Sequence, residues 1–411
     1  MTPTGTDAGN QAGHHASNRW RSVFKPVVRL VPGNQIKLLE CGATFFPALI
    51  AAIDAAHTEV RLETYIFNLD DSGTRVADAL IRAARRGVRV ALLIDGVGSR
   101  LLPSAWLAEV RREGLRVLIY RAPYLGWLAN PVNLRRLHRK VAVIDARLAF
   151  VGGINIIDDF MPVACPAPRL DYSVSISGPL VGEIYRNVAR LWRLVARSQL
   201  QSELADFARL TPEVTTGGQA RAAYIVRDNL KNRRSIERAY LAAIVSARHD
   251  IMIASAYFLP GRHFRRALKK AMARGVQVRL LVQGRTDHPF FHAASRALYA
   301  DLLTAGVTIY EYHASELHAK VAVVDGLWIT IGSSNIDPFS LLLAREANIV
   351  SEDHRLARQL QTQLEHAIER GALELQRADW QKRGWPHRLL SWVAYGFVRW
   401  MVGLAGFRRW V

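Results

Sequence analysis

The sequence has few cysteines, a shortage of acidic residues and no apolar segment at its start. Its 411 residues include only Cys41 and Cys165, which excludes a disulfide framework and predicts two reduced thiols. No cysteine–histidine cluster has the spacing of a zinc site. Residues 1–18 are polar and lack the apolar region of a secretory signal. We therefore interpret residues 1–33 as a flexible basic leader and expect the chemistry to face the cytosol.

Basic residues outnumber acidic ones by 55 to 35, which gives a formal net charge of +20. Such an excess favours a polyanionic partner, which could be nucleic acid, anionic lipid or a phosphorylated substrate. Half of the residues are hydrophobic, so a sizeable core can form, and the length suits two domains or one bilobal unit. Charge and length alone do not choose among these partners.

An internal duplication organises the chain. Four blocks of the first half recur in the same order in the second half, which indicates a repeated structural unit. The paired blocks are residues 60–67 and 251–258, 79–96 and 267–284, 113–120 and 305–312, and 137–156 and 317–336.

Each half alternates strand-length apolar runs with helical patterns. Val90–Ile94 and Val278–Val282 are typical of buried strands, and the helices before them are expected to end at Gly87 and Gly275. This alternation predicts an α/β fold with mixed, mostly parallel sheets. The predicted organisation is a leader (1–33), a first lobe (34–210), a linker (211–220), a second lobe (221–384) and an apolar, basic tail (385–411).

The duplication carries a chemical motif in each half, with identical spacing. Histidine and lysine two residues apart lie on one face of a strand, so each motif directs an imidazole and an ammonium to one place. Glycines after the strand let the backbone approach a ligand closely. The residues are His138, Lys140, Asp145, Gly152, Gly153 and Asn155 in the first copy, and His318, Lys320, Asp325, Gly332, Ser333 and Asn335 in the second.

Two such faces that meet would suit a phosphodiester. The lysines and the amides of Asn155 and Asn335 can hold the non-bridging oxygens and stabilise the transition state. One imidazole can attack phosphorus while the other exchanges a proton with the leaving and entering oxygens. We expect no metal and no other cofactor, because the lysines supply the positive charge. Nearby carboxylates would orient the imidazoles, and the candidates are Asp145, Asp325, Asp171 and Glu346.

The repeated pattern resembles the phospholipase D superfamily, and the likeness spans roughly residues 34–375. Segments such as LHRKVAVIDARLAFVGG, VRDNLKNRRSIERAYL and SAYFLPG are similar to the short bacterial cardiolipin synthases of type B. The resemblance implies two pseudo-twofold-related α/β/α lobes with one active site between them. It also implies a covalent phosphohistidine, with His138 as nucleophile and His318 as general acid and base.

The implied reaction transfers a phosphatidyl group to phosphatidylglycerol and yields cardiolipin in phospholipid biosynthesis. The donor would be phosphatidylglycerol or phosphatidylethanolamine, and the place would be the cytoplasmic side of the bacterial inner membrane. Three alternatives stay open: a phospholipase D that hydrolyses, a nuclease or other phosphodiesterase, and a scaffold with a dead site. The apolar tail argues against nucleic acid as the substrate, and the two intact motifs argue against a dead site. The sequence does not indicate an oligomeric state.

The tail contains the longest apolar run, Leu389–Phe407, which Ser391 and Arg399 interrupt. A membrane span needs about 20 apolar residues, and Arg399 near the middle would cost about 2.5 to 3.5 kcal/mol on insertion. We therefore predict a peripheral or monotopic interfacial anchor, as opposed to a packed helix or a span. The tryptophans expected at headgroup level are Trp392, Trp400 and Trp410.

Overall fold

The computed structural model describes residues 28–122, 135–160, 167–205, 210–212, 217–228, 232–285, 289–342, 344–378 and 385–404. Most of the predicted leader, the centre of the predicted linker (213–216) and the end of the tail with Trp410 therefore lie outside the described residues.

Fifteen strands form one hydrogen-bonded sheet in this part of the chain, and the order of strands in one half is repeated in the other. The order is β15-β11-β10-β9-β12-β13-β14-β8-β1-β7-β6-β5-β2-β3-β4. The strands are β1 (Val31–Glu40), β2 (Glu59–Thr64), β3 (Arg89–Asp95), β4 (Arg116–Tyr120), β5 (Lys140–Ile144), β6 (Leu148–Gly152), β7 (Tyr172–Ser177), β8 (Ala220–Arg227), β9 (Asp250–Ser255), β10 (Gln277–Gln283), β11 (Thr308–Tyr312), β12 (Lys320–Val324), β13 (Trp328–Gly332), β14 (Glu346–Glu352) and β15 (Ala372–Glu374).

Helices flank the sheet in both halves. They are α1 (Cys41–Asp54), α2 (Asp71–Arg85), α3 (Ser104–Arg112), α4 (Leu180–Ser198), α5 (Ser202–Ala205), α6 (Ser235–Ser246), α7 (Arg262–Ala273), α8 (Pro289–Thr304), α9 (Pro338–Leu342), α10 (His354–Gly371) and α11 (Trp385–Leu404).

The prediction of a mostly parallel sheet is wrong. Among the described strands, the parallel pairings are β2–β3, β3–β4, β9–β10 and β10–β11. The other ten of the fourteen pairings are antiparallel. The physical reason is that each motif strand returns through a tight turn, which only an antiparallel partner allows, whereas parallel neighbours need a crossover helix.

The two halves share a core. In this core, β13 and β14 of the second half lie against β6 and β7 of the first half. Val143 and Val151 of the first half and Val323 and Ile331 of the second are buried in a single apolar cluster, together with one face of α4 and one face of α10. The outer helices α1 to α3 and α6 to α8 cover the opposite faces of the two half-sheets. The halves are therefore fixed to each other by apolar packing as well as by strand pairing.

The predicted tail forms α11, which packs along α8. Ala394, Tyr395 and Val398 are buried against Ala294 and Leu298 of α8. Among the helices of the described residues, none is long and apolar enough to cross a membrane. The described part of the tail is thus attached to the body of the protein along one face of α11.

Candidate active site

The two His-x-Lys motifs lie at the starts of β5 and β12, where the halves meet. The backbone N–H of His138 donates to the carbonyl of Arg345, and that of His318 donates to the carbonyl of Leu170, both at 2.9 Å. Each motif is thus hydrogen-bonded to a segment of the opposite half. The structure brings the two predicted histidines and the two predicted lysines into one group, close enough for Lys320 to act electrostatically on His138. The lysines are buried, and the histidine side chains remain partly exposed.

The carboxylates that orient the histidines come from opposite halves. His138 Nδ1 lies 2.9 Å from Glu346 Oε1, and His318 Nδ1 lies 2.6 Å from Asp171 Oδ2. Glu346 and Asp171 each follow the residue whose carbonyl receives the histidine N–H of the other half. A carboxylate at Nδ1 favours the tautomer that carries a proton there, which leaves Nε2 as the basic nitrogen. The pairing is therefore crossed between the halves.

The prediction that Asp145 and Asp325 orient the imidazoles is wrong. Asp145 accepts hydrogen bonds from the backbone N–H groups of His57, Thr58 and Glu59 at 2.7 to 2.9 Å. It lies five residues beyond Lys140, at the far end of β5, which is roughly 16 Å at the rise of a strand. The carboxylate of Asp325 accepts hydrogen bonds from three backbone N–H groups at the start of β9 in the same way.

Both aspartates occupy tight turns between antiparallel strands. Asp145 has a φ of 49° and is followed by Ala146 at 53°, while Asp325 has 51° and is followed by Gly326 at 57°. Positive φ at both central residues is the mark of a type I′ turn, and aspartate is among the residues that tolerate this conformation. The motif aspartates are therefore structural: they form the turns and bind the ends of β2 and β9.

The glycine and serine of the motifs support the crossed carboxylates differently. Ser333 donates its hydroxyl to Glu346 Oε2 at 2.5 Å. At the equivalent position, a Cβ on Gly153 would lie 2.2 Å from Asp171 Oδ1, so only glycine leaves room for this carboxylate. The backbone N–H of Tyr172 donates to the same oxygen at 2.8 Å. Both carboxylates are held by a second donor besides the imidazole, which fixes the orientation of the rings.

The lysines are buried beside the histidines. Lys140 Nζ donates to the carbonyl of His138 at 2.7 Å, and Lys320 Nζ donates to the carbonyl of His318. Burial lowers the pKa of Lys140 to about 7 and also lowers the pKa of Lys320. Low polarity and two crowded ammonium groups disfavour the charged forms, and an anionic phosphodiester between them would restore the charge. The lysine pair is thus suited to binding such a group.

The same environment lowers the pKa values of both histidines. Burial is the main cause for His138, and the Glu346 carboxylate opposes the shift. The pKa of His318 lies well below its ordinary value because of burial and the nearby Lys320. The pKa of Asp171 is raised by burial despite the attraction of Lys320. Both imidazoles are therefore biased towards the neutral form before an anion binds.

The predicted asparagines are buried at the site, with unequal contacts. Asn155 Oδ1 accepts the backbone N–H of Ile66 at 3.1 Å. Asn335 is 5% exposed, and its Oδ1 has no hydrogen-bond partner among the described residues. A buried amide oxygen without a donor is costly, so a donor from a substrate would be favourable there.

Arg139, between the motif histidine and lysine, points to the other face of β5. It is buried and forms a bidentate pair with Glu63 of β2, in which Nη2 lies 2.8 Å from Oε1. Its Nη1 donates to Asn187 of α4 at 2.6 Å. Ala319 occupies the equivalent place in the second motif. The pair ties the motif strand to β2 and α4 only in the first half.

One residue of the site, Tyr65, was not predicted. Its ring centroid lies 5.0 Å from that of His138, and Lys140 Nζ lies 5.5 Å from the ring centroid. The repeat places Ala256 at this position in the second half, so the two copies differ in sequence beside the motif. The replacement of tyrosine by alanine between the repeated blocks 60–67 and 251–258 is visible in the sequence, and it could have identified Tyr65 as a residue of the site.

Comparison with known proteins agrees with this geometry. The family described as "Cardiolipin synthase, PLD-like domain" matches residues 49–161 and 240–368. Cardiolipin synthase B of Salmonella typhimurium is 38% identical over 384 residues, which cover 91% of this chain and 90% of that protein. Cardiolipin synthase B of Escherichia coli K12 is 37% identical over the same lengths.

Among solved structures, phosphatidylserine synthase of Haemophilus influenzae Rd KW20 is similar, with a TM-score of 0.68 over 96% of this chain and 99% of that one. Because the two sequences are only 13% identical, this similarity is evidence for a shared fold and for nothing more specific. The predicted α/β fold of phospholipase D type is confirmed. By its family match and by relatives that align along nearly their whole length, the chain belongs to the cardiolipin synthases of the phospholipase D superfamily.

Proposed function

We propose that the protein is a phosphatidyltransferase that makes cardiolipin from phosphatidylglycerol through a covalent phosphohistidine. The observation that carries the proposal is the crossed arrangement of the site. Two imidazoles are each bonded through Nδ1 to a carboxylate of the opposite half, beside two buried lysines. The side chains of such a site supply a nucleophile, a proton donor and the positive charge that binds a phosphoryl group.

The reaction proceeds in two displacements. His138 Nε2 attacks the phosphorus of the donor lipid, the N–P bond forms, and the P–O bond to the headgroup alcohol breaks as His318 gives that oxygen a proton. Glycerol leaves if the donor is phosphatidylglycerol, and ethanolamine leaves if it is phosphatidylethanolamine. The free hydroxyl of a second phosphatidylglycerol then gives its proton to His318 and attacks phosphorus, which breaks the N–P bond and releases cardiolipin. Lys140 and Lys320 hold the non-bridging oxygens throughout.

The assignment of His138 as nucleophile rests on the family resemblance. The pKa values of both imidazoles are lowered in the free enzyme, so each of them favours the neutral form before substrate binds. An anionic phosphodiester between the lysines raises the pKa of both imidazoles and makes protonation of His318 accessible.

The proposed place of action is the cytoplasmic face of the bacterial inner membrane, where the protein would be peripheral or monotopic. The net charge of +20 favours adsorption to phosphatidylglycerol, which is both an anionic lipid and the proposed acceptor. The predicted interfacial role of residues 385–411 belongs to this proposal. Its described part is α11, which is packed on the protein.

Analysis of lipid products by mass spectrometry tests the proposal. Purified protein is incubated with vesicles of phosphatidylglycerol, with and without phosphatidylethanolamine, beside a His138→Ala variant. Cardiolipin from the wild type alone supports the transferase, and a rise with the second lipid identifies the donor. Phosphatidic acid without cardiolipin would establish a hydrolase instead. If neither product formed while DNA was cleaved, the protein would be a nuclease.

A further inference from the structure

We propose that the rim of the active-site cleft lies directly on the lipid bilayer, with the exposed face of α11 on one side and an apolar patch of the first half on the other. This proposal rests on the proposed function, since only an enzyme of membrane lipids needs its cleft at the headgroups. The membrane-binding surface would then include residues of both halves of the chain as well as the tail.

Among the described residues, one apolar face of α11 is buried against α8 and the opposite face is exposed. The face opposite to α8 exposes large side chains that a helix packed on a soluble body would usually bury. Trp392 is 54% exposed and Trp400 is 59% exposed, and Leu389, Val393 and Phe397 are exposed on the same helix. Tryptophan with large aliphatic neighbours is the composition of helices that lie in a membrane interface.

This helix packs next to a segment that leads to the active site. Leu259, which lies just beyond the end of β9, belongs to the cluster that α8 and α11 form. Its backbone N–H donates to the carbonyl of Ile336 at 2.8 Å, and Ile336 follows the motif residue Asn335. The exposed face of α11 is therefore supported by the segment that carries part of the active site.

The first half presents apolar side chains at the equivalent place. The N–H of Asn68 donates to the carbonyl of Ile156 at 2.9 Å, which repeats the bond of Leu259 next to the first motif asparagine. Leu69 (37% exposed) and Phe160 (53% exposed) lie in these two segments. Asp158 N–H donates to Asp70 Oδ2 at 2.9 Å and holds the segments together. The repeat thus places both residues on the side of the cleft opposite to α11.

A third exposed residue of the first half, Leu101, extends the patch. It is 74% exposed in the turns that follow β3. Ser99 of the same turns donates its hydroxyl to the carbonyl of Tyr65 at 3.0 Å, and Tyr65 lies against His138. Apolar side chains therefore flank the catalytic pair on both sides, as a planar apolar partner such as a bilayer requires.

A bilayer fits this surface better than a protein partner does. The exposed residues are split between the two sides of a cleft whose proposed substrates keep their acyl chains in the membrane. Docking of both sides would set the buried lysines at the depth of the phosphates, and the basic net charge would attract the anionic headgroups. A second copy of the chain would cover the cleft that the lipids must enter.

Vesicle flotation with three sets of variants tests the proposal. One set changes α11 (Trp392→Ser with Trp400→Ser), one changes the first half (Leu101→Ser with Phe160→Ser), and the control is Val245→Ser. Val245 is 60% exposed at the end of α6, which leads into the start of β9, the end of that strand away from the cleft. The vesicles contain phosphatidylglycerol and phosphatidylcholine.

We expect each rim set to lower the partition coefficient by about tenfold or more, while the control binds like the wild type. Turnover on vesicles should fall far more than turnover of a monomeric short-chain phosphatidylglycerol. Normal binding by the first-half set would overturn the two-sided surface. Unchanged binding by both sets, with loss of a dimer in light scattering, would show that the surface joins two copies. Binding is measured without turnover, so a wild type that binds vesicles but makes no cardiolipin would refute the proposed function and not this surface.

Discussion

The crossed carboxylates allow the roles of the two histidines to be separated by experiment. The changes are Glu346→Gln and Asp171→Asn, which remove one negative charge each and keep the size of the side chain. The matched control is Asp145→Asn, which makes the same chemical change in the first motif but at the far end of β5. Among the described residues, its carboxylate accepts hydrogen bonds from three backbone N–H groups there.

The size of the effect follows from the hydrogen bonds that are lost. A hydrogen bond to a charged group contributes about 1.5 to 3 kcal/mol, and about 1.36 kcal/mol corresponds to a tenfold change in rate. If each carboxylate stabilises the imidazolium that forms in the transition state, kcat should fall about 10- to 150-fold in either variant. Asp145→Asn should instead lower the free energy of unfolding by about 1 to 3 kcal/mol, because it weakens bonds to three backbone N–H groups.

The pH dependence of kcat/KM distinguishes the two histidines. A carboxylate at Nδ1 raises the pKa of its imidazole, so its removal lowers that pKa. The nucleophile must be neutral, so a lower pKa of His138 in Glu346→Gln should move the acid limb to lower pH. The proton donor must be charged, so a lower pKa of His318 in Asp171→Asn should move the alkaline limb to lower pH. The opposite pattern would make His318 the nucleophile, and shifts equal to those of Asp145→Asn would refute the crossed mechanism.

Three further changes probe other contacts of the site. Tyr65→Ala should increase the ratio of phosphatidic acid to cardiolipin severalfold, because water gains access to His138. Tyr65→Phe should keep the wild-type ratio, and equal ratios in both variants would contradict a shielding role. Gly153→Ala should reduce kcat by at least about tenfold, because its Cβ would lie 2.2 Å from Asp171 Oδ1, and a normal rate would show that this carboxylate can move at no cost. Glu63→Ala should lower the free energy of unfolding by about 3 to 5 kcal/mol, since it leaves a buried guanidinium without its carboxylate, and urea denaturation measures this loss.

The sequence was sufficient to predict the chemical parts of the site, because they follow from local spacing. His and Lys two residues apart must share a strand face, and two copies in a duplicated chain must come together if one site is to form. Asp171 and Glu346 were two of the four carboxylates predicted as candidate partners of the imidazoles, because they follow the motif asparagines at broadly similar distances. The structure places both carboxylates at the histidines.

The crossing of these pairs could not be predicted from spacing. Glu346 lies 208 residues from His138, and Asp171 lies 147 residues from His318. Local reasoning favours a carboxylate of the same motif, and this is why Asp145 was an attractive candidate. Which half supplies a partner depends on how the half-sheets pack, and that packing depends on many weak apolar contacts instead of a few specific residues.

The parallel sheet was predicted from the alternation of strands and helices, and this pattern holds only for β2 to β4 and β9 to β11. The hairpins of β5 and β12 carry their own signal. Asp145-Ala146 and Asp325-Gly326 form tight turns between apolar runs, and Asp-Gly in such a place indicates a hairpin. Because Asp145 and Asp325 belong to the chemical motifs, they were interpreted as catalytic residues. Their role in the hairpin turns was therefore not predicted.

Crossed pairing makes the geometry of the site depend on the core between the halves. Each imidazole is held by a carboxylate that only the other half provides, so a small shift between the half-sheets would lengthen both pairs at once. Close-packed protein interiors resist such shifts, and the residues between the half-sheets are buried in one apolar cluster. Yet the halves are unequal, because Ala256 and Ala319 occupy the positions that are equivalent to Tyr65 and Arg139 in the repeat. The symmetric core therefore fixes where the two histidines lie, while the unmatched residues give them different surroundings, which is what a reaction with one nucleophile and one proton donor requires.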